Sequence, residues 1–234
     1  VNGRLLVNSG VTVANVPSIA ATGCSVGTKQ GFSVIKYQGD AGSDTVPHGL
    51  TQPPDFVLVK QLNNTGSEDW NVMHSAFGAT HRGYFNTTAH FSETDNGFGD
   101  VNPTSSVFTV AYNGTNKSGS DYIAYCWHNV PGFQKFGTYI GVGQDNNFVE
   151  LGFRPAMVWV KRAIANSSSD TSTNNSAWTI MDSTRLSYNG QTPNHLYANH
   201  TADEGKRGDA SGTSSLGDMT LEPHSNGFYL NGPA

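Results

Sequence analysis

Residues 31–60 read GFSVIKYQGDAGSDTVPHGLTQPPDFVLVK, and the fold turns on how that stretch is interpreted. An apolar run closes on Tyr37-Gln38-Gly39. A loop rich in Gly and Asp follows, then Gly49-Leu50, Pro54 and a second apolar run ending at Lys60. The same order returns at residues 136–162 as FGTYIGVGQDNNFVELGFRPAMVWVKR. Tyr139 and Gly141 stand there for Tyr37 and Gly39, Gly152 for Gly49, Pro155 for Pro54, and Val158-Trp159-Val160-Lys161 for Val57-Leu58-Val59-Lys60. Further on, Trp70-Asn71-Val72-Met73 is matched by Trp178-Thr179-Ile180-Met181, and Val107-Phe108-Thr109-Val110 by Gly227-Phe228-Tyr229-Leu230. A repeat of about 100 residues exceeds the ~20–50 of solenoids and propeller blades and has the size of a small domain.

Composition points to the same class. Charged residues make up 13% and apolar residues 36% of the 234, both below the usual share, and Gly, Ser, Thr and Asn fill the difference. Those residues disfavour helix interiors and favour turns and exposed strand faces. With 11% aromatics and a net charge of -5, the chain has the means to fold and lacks the basic stripe that nucleic acid demands. No apolar run approaches the ~20 residues of a membrane helix.

The expected architecture is all-β: two tandem β-sandwich or jelly-roll modules. An extended arm over residues 1–30 precedes a first module at 31–131 and a second at 132–234. Short Val-, Ile- and aromatic-rich runs bounded by Gly, Asn, Asp or Pro predict strands at Phe32–Tyr37, Asp55–Leu62, Asp69–His74, Arg82–Asn86, Ser106–Tyr112 and Tyr122–Asn129. In the second module they fall at Phe136–Ile140, Ala156–Arg162, Ala177–Asp182, Asn194–Ala198 and Gly227–Leu230. Two polar insertions, 163–176 and 201–215, interrupt it. No counterpart of Tyr122–Trp127 closes the second module, so its sheet is expected to be completed by further chain, ahead of another chain or the arm.

Residues able to carry chemistry are present without a motif that organises them. His48, His74 and His128 sit near strand ends, with Glu150 and Asp182 at corresponding places later, but none shows the short spacing of zinc ligands. Asp40, Asp44, Asp145, Asn146 and Asn147 offer oxygens for calcium outside any EF-hand pattern. Glu68, Asp69, Glu93, Asp95 and Glu150 are carboxylates in polar surroundings with no pairing signature for glycoside hydrolysis. The expectation is therefore no enzyme, no catalytic or metal residues and no cofactor, with ligand-binding residues unassigned. Trp70 and Trp178 read as core residues at matching positions, whereas Phe91 and Phe98, in a long loop, are better placed to meet a ligand. Cys126, inside Tyr122–Trp127, reads as a small buried residue, and its separation from Cys24 neither supports nor excludes a disulfide between them.

The stretches HGL-x-x-x-P (48–54), YIAYCWH (122–128), KFG-x-Y-x-G (135–141) and GFRPA-x-V-x-x-KR (152–162) resemble a domain of tailed-bacteriophage structural proteins. The similarity is to fibre-like or lectin-like virion proteins of phages of aquatic bacteria and covers most of residues 31–162. It implies a virion protein such as a tail-fibre, tail-associated or head-fibre component, contributing to assembly and host-surface attachment. It also implies association with other copies, a trimer favoured, and with other virion proteins. A carbohydrate-binding module for host glycans is the alternative, and a polysaccharide depolymerase a third.

Overall fold

A computed structural model describes residues 16–63, 68–93, 97–142, 146–164, 177–185, 196–199 and 220–231. Among them the regular structure is strands, apart from one helical turn, α1 (Tyr112–Thr115). No described helix is long and apolar enough to cross a membrane. The chain divides into two compact units. The first comprises Val1–Gly83, Phe91–Val130 and Gln134–Gly137; the second comprises Tyr84–His90, Pro131–Phe133 and Thr138–Ala234.

The first unit is built on an antiparallel sheet. Its strands are β1 (Ala21–Gly27), β2 (Phe32–Gln38), β4 (Phe56–Gln61), β5 (Asn71–His74), β6 (His81–Tyr84), β7 (Ser92–Glu93) and β9 (Asp121–Trp127). Their order is β1-β2-β9-β4-β5-β6-β7. A two-stranded ribbon, β3 (Ser43–Pro47) with β8 (Val107–Ala111), supplies the second layer. Because strand side chains alternate between faces, β9 buries Tyr122, Ala124 and Cys126 on its inner face. These meet Ile35 and Tyr37 of β2, Val57 and Val59 of β4, Met73 of β5, and Val46, Phe108 and Val110 of the ribbon in one core cluster. Val57 and Val59 are fully buried, each contributing about 1.5–3 kcal/mol relative to an exposed side chain. The Tyr37 and Tyr122 rings stack at 5.1 Å, and their hydroxyls reach backbone: Tyr37 Oη donates to Thr115 O and Tyr122 Oη accepts from Lys117 N. That satisfies the polar end of each buried phenol.

The second unit has β10 (Asn147–Glu150), β15 (Gly227–Asn231) and β14 (Thr220–His224) as one sheet, and β11 (Met157–Val160), β12 (Thr179–Asp182) and β13 (Leu196–Tyr197) as another. Its core joins Met181, Leu221, Phe228 and Leu230 with partly buried Val149, Leu151, Val158 and Val160.

Positions aligned by the repeat carry the same pairings inside each unit. Val57 faces Met73 and Val59 faces Asn71; Val158 faces Met181 and Val160 faces Thr179. Ser75 N donates to Asp55 O, and Ser183 N donates to Ala156 O. Val46 faces Phe108 as Val149 faces Phe228. His48 N donates to Ser106 O as Leu151 N does to Asn226 O. The ammonium of Lys60 lies 6.0 Å from the Trp70 ring and that of Lys161 lies 5.6 Å from the Trp178 ring, within cation–π reach.

Several expectations need correction. The described part of the 1–30 arm is not merely extended: Ala21–Gly27 pairs along β2 as a sheet strand. Ser43–Pro47, expected as loop, is half of the ribbon. The strand expected at Phe136–Ile140 is irregular, because no described strand flanks it as β1 and β9 flank β2. The boundary at 131/132 is interleaved. Phe85 packs at 5.3 Å on Trp159 and 5.5 Å on Trp178, drawing 84–90 into the second unit. Gln134 Nε2 donates to Gly31 O and His128 O, holding 134–137 in the first. The insertion residues 165–176 and 201–215 lie outside the described residues.

Candidate functional site

The outer face of the seven-stranded sheet is set by strand register. Phe32, Trp127, Phe56 and His74 form one cross-strand row, and Val34, Tyr125, Leu58 and Val72 the next. Alternation places both rows on the face opposite Tyr122, Ala124 and Cys126. Phe32 stacks on Trp127 at 4.9 Å and lies nearly parallel to Tyr125 at 6.4 Å. Tyr125 and Trp127 are 6.1 Å apart, and Trp70 continues the series 6.4 Å from Tyr125. Phe136 stacks on Phe56 at 5.6 Å. Phe56, Leu58 and Val72 are buried beneath, while Phe32, Tyr125, Trp127 and Trp70 are half-exposed. Four rings at small mutual angles make an aromatic ledge, able to stack against a flat apolar surface such as one face of a sugar ring. It carries cationic groups, Lys36 and Lys60, in the adjoining row.

The residues singled out for chemistry are committed to structure. His48 is fully buried; its Nδ1 accepts from Leu50 N, so Nε2 donates to Thr104 O. Burial, opposed by the hydrogen bond to Thr104 O and aided by the neighbouring His128, holds its pKa below the ordinary histidine value. His128 donates Nδ1–H to Asn129 O, and its Nε2 is buried without a partner among the described residues. His74 sits apart, in the outer-face row, edge-on to Phe56 at 6.0 Å, its Nδ1 accepting from Ala76 N; burial lowers its pKa as well. The three histidines therefore do not converge, and no group of three or more metal-ligating side chains occurs among the described residues. Glu150 Oε1 accepts from Asn226, while Asp182 caps the turn at Thr184 and Arg185.

Asp40 and Asp44 do come together, around the side chain of Asn116. Asn116 Nδ2 donates to Asp40 Oδ1 at 3.1 Å, Gly42 O at 2.9 Å and Asp44 Oδ2 at 3.1 Å, and its Oδ1 accepts from Asp40 N at 3.0 Å. The amide thus stands where the calcium reading would put a cation. A hydrogen bond with Asp44 lowers the pKa of Asp40, whereas desolvation and then the Asp40 contact raise that of Asp44. Asn146 N donates to Asn231 Oδ1 and Asn147 Nδ2 to Ile140 O. Asp145 and Asp95 lie outside the described residues.

Phe91 and Phe98, expected at the surface, are 7% and 2% exposed. Phe91 stacks on Phe77 at 5.0 Å and fills the space beside Gly83, where a Cβ would meet its ring at 2.7 Å. Trp178 is core, with Nε1 donating to Tyr84 O; Trp70 is not, being half-exposed on the ledge. The ledge itself was readable in DYIAYCW, where alternation puts Tyr125 and Trp127 opposite the small residues Ala124 and Cys126.

Comparison with known families matches residues 7–231 to the domain of unknown function DUF7483. The chain belongs to that family. No curated protein and no solved structure matches it. Membership in DUF7483 names no activity, so any function must be argued from the ledge and from the pairings the two units have in common.

Proposed function

We propose that this protein is a non-enzymatic structural component of a tailed-bacteriophage virion, two copies of one all-β module that contribute to assembly and host-surface attachment. One observation carries the reading: what the two units hold in common is packing. Val57 and Val158, Met73 and Met181, Phe108 and Phe228, and Lys60 over Trp70 and Lys161 over Trp178 recur in the same registers. Neither histidine recurs as histidine: His48 aligns with Leu151 and His74 with the carboxylate Asp182. A module reused for shape and strength would conserve its core in this way, and association into symmetric assemblies adds avidity. In this reading the protein is made in the host cytoplasm and carried on the extracellular particle. Mass spectrometry and immunogold labelling of purified particles test it. Stoichiometric protein on the particle is expected, and its confinement to the soluble lysate would refute the proposal.

The aromatic ledge favours a second reading, recognition of a host glycan. Glycan-array binding by the chain, lost in Trp127→Ala with folding intact, would support it. Binding that is indifferent to Trp127 would remove the ledge from consideration.

A further inference from the structure

Two turns of the first unit are closed by a histidine lone pair. His48 Nδ1 accepts from Leu50 N at 3.1 Å, and His74 Nδ1 accepts from Ala76 N at 3.1 Å. In each, a ring nitrogen takes the backbone donor two residues ahead. Asp182, aligned with His74 by strand register, does the same for Thr184 N at 3.0 Å with a carboxylate oxygen. The turn therefore needs an acceptor and not an imidazole. We propose that His48 and His74 make an acid-operated latch: their protonation opens the end of the first unit that carries them, while the opposite end of that unit and the matching turn of the second stay closed. The inference is independent of where the protein works.

Both turns lie at one end. Phe56 faces His74 on one side and Trp127 on the other, and His128, next after Trp127, neighbours His48. Asp55 ties the His74 turn to the exit of β9, accepting from Ser75 Oγ at 3.0 Å and from Asn129 N at 2.8 Å. The acid form of either ring has no place for its proton. His48 Nε2 already donates to Thr104 O at 3.0 Å, so a second proton falls on Nδ1, where the Leu50 N–H points. At His74 the same nitrogen meets the Ala76 N–H. Two donors then oppose each other at residues 0% and 8% exposed, where an imidazolium finds little water. Among charged neighbours, His128 adds repulsion at His48, whereas Asp55 attracts at His74 and partly offsets its burial. The closed state thus holds neutral rings and the open state takes up protons, so opening is suppressed above the ordinary histidine value and grows as pH falls below it. Imidazole is the side chain whose charge changes in that range, and the second unit's turn does without it.

The test is amide hydrogen exchange of the whole chain from pH 7 to pH 5, corrected for the intrinsic rate. Opening at Leu50 and Ala76 is expected to rise about tenfold per pH unit for each proton taken up below about pH 6.5. Leu62, whose N–H donates to Asp121 O at the opposite end, and Thr184 should not follow. His74→Asn keeps an acceptor for Ala76 N and removes the titration, so the slope at Ala76 should vanish while that at Leu50 remains. His48→Asn should do the reverse, whatever either costs in stability at pH 7. The proposal is overturned by protection at Leu50 and Ala76 that does not change with pH, by a slope that survives the matching substitution, or by equal acceleration at Leu62, which would mean unfolding of the whole unit. Should His48→Asn fail to fold, His74→Asn alone still decides between a titrating latch and a merely structural turn.

Discussion

Replacing Asn116 with alanine should unlock the loop that joins the ribbon to the main sheet. The side chain is fully buried and makes four hydrogen bonds, two to backbone groups and two to carboxylates. The backbone bonds to Asp40 N and Gly42 O are worth about 1 kcal/mol each, and the carboxylate bonds, reached by solvent, together about 1 kcal/mol. The sum is about 3 kcal/mol, or roughly 10 °C in the melting of a unit this size. The loss should depend on pH. Asp44 already has a raised pKa, a contribution fully present at low pH and lost as pH rises through the raised value, while the lowered pKa of Asp40 acts in the opposite sense. Removing the amide leaves the two carboxylates facing each other, so sharing one proton becomes more favourable. The variant should recover part of its deficit when pH falls from neutrality into the carboxylate range. Urea unfolding at pH 7 and pH 4 reads both effects. A deficit below about 1 kcal/mol, the same at both pH values, would refute the amide's role as the lock.

Other outcomes follow from the same packing. Met73→Ala and Met181→Ala, each at a residue 1% exposed, should both destabilise by about 2–5 kcal/mol in denaturant titration; a neutral Met181→Ala would deny the second core. His48 and His74 have lowered pKa values through burial, so their contribution is present above the ordinary histidine value and drains away as pH falls below it. Thermal melts from pH 7 to pH 5 should show that loss, and His48→Gln should flatten it. Burial also pushes the Cys126 thiol far up, so in native protein a thiol reagent should modify exposed Cys24 alone, with the second site appearing only in denaturant. Gly39→Ala should destabilise the β2–β3 turn, since a Cβ there would lie 2.4 Å from Lys117 O, a backbone atom that cannot step aside.

Strands whose apolar pattern is strong were legible: β4, β5, β8 and β9 fall where Val, Ile, Met and aromatic runs put them. β1, ATGCSVG, was not, because an edge strand needs few large side chains and Ala21, Gly23 and Cys24 carry no alternation to read. β3, SDTVP, hid behind its Asp and Pro; only Val46 and Pro47 are buried in it. Phe136–Ile140 shows the converse, since local resemblance to Phe32–Tyr37 cannot supply the flanking strands a sheet position requires. Of the candidate site, the histidines and aspartates were visible as types, but whether they meet each other or backbone is settled only by tertiary contact. Phe91 and Phe98 were misplaced for the same reason: a loop that folds its aromatics inward leaves no periodic trace.

The most direct test of the account is the cross-strand pattern of nuclear Overhauser effects in the two hairpins of the labelled chain. The account predicts backbone contacts between Val57 and Met73 and between Val158 and Met181, with the flanking pairs Phe56–His74 and Met157–Asp182 in step. A register in the second hairpin shifted by even one residue would turn Val158 and Val160 away from Met181, Phe228 and Leu230, and would contradict the claim that one module is built twice.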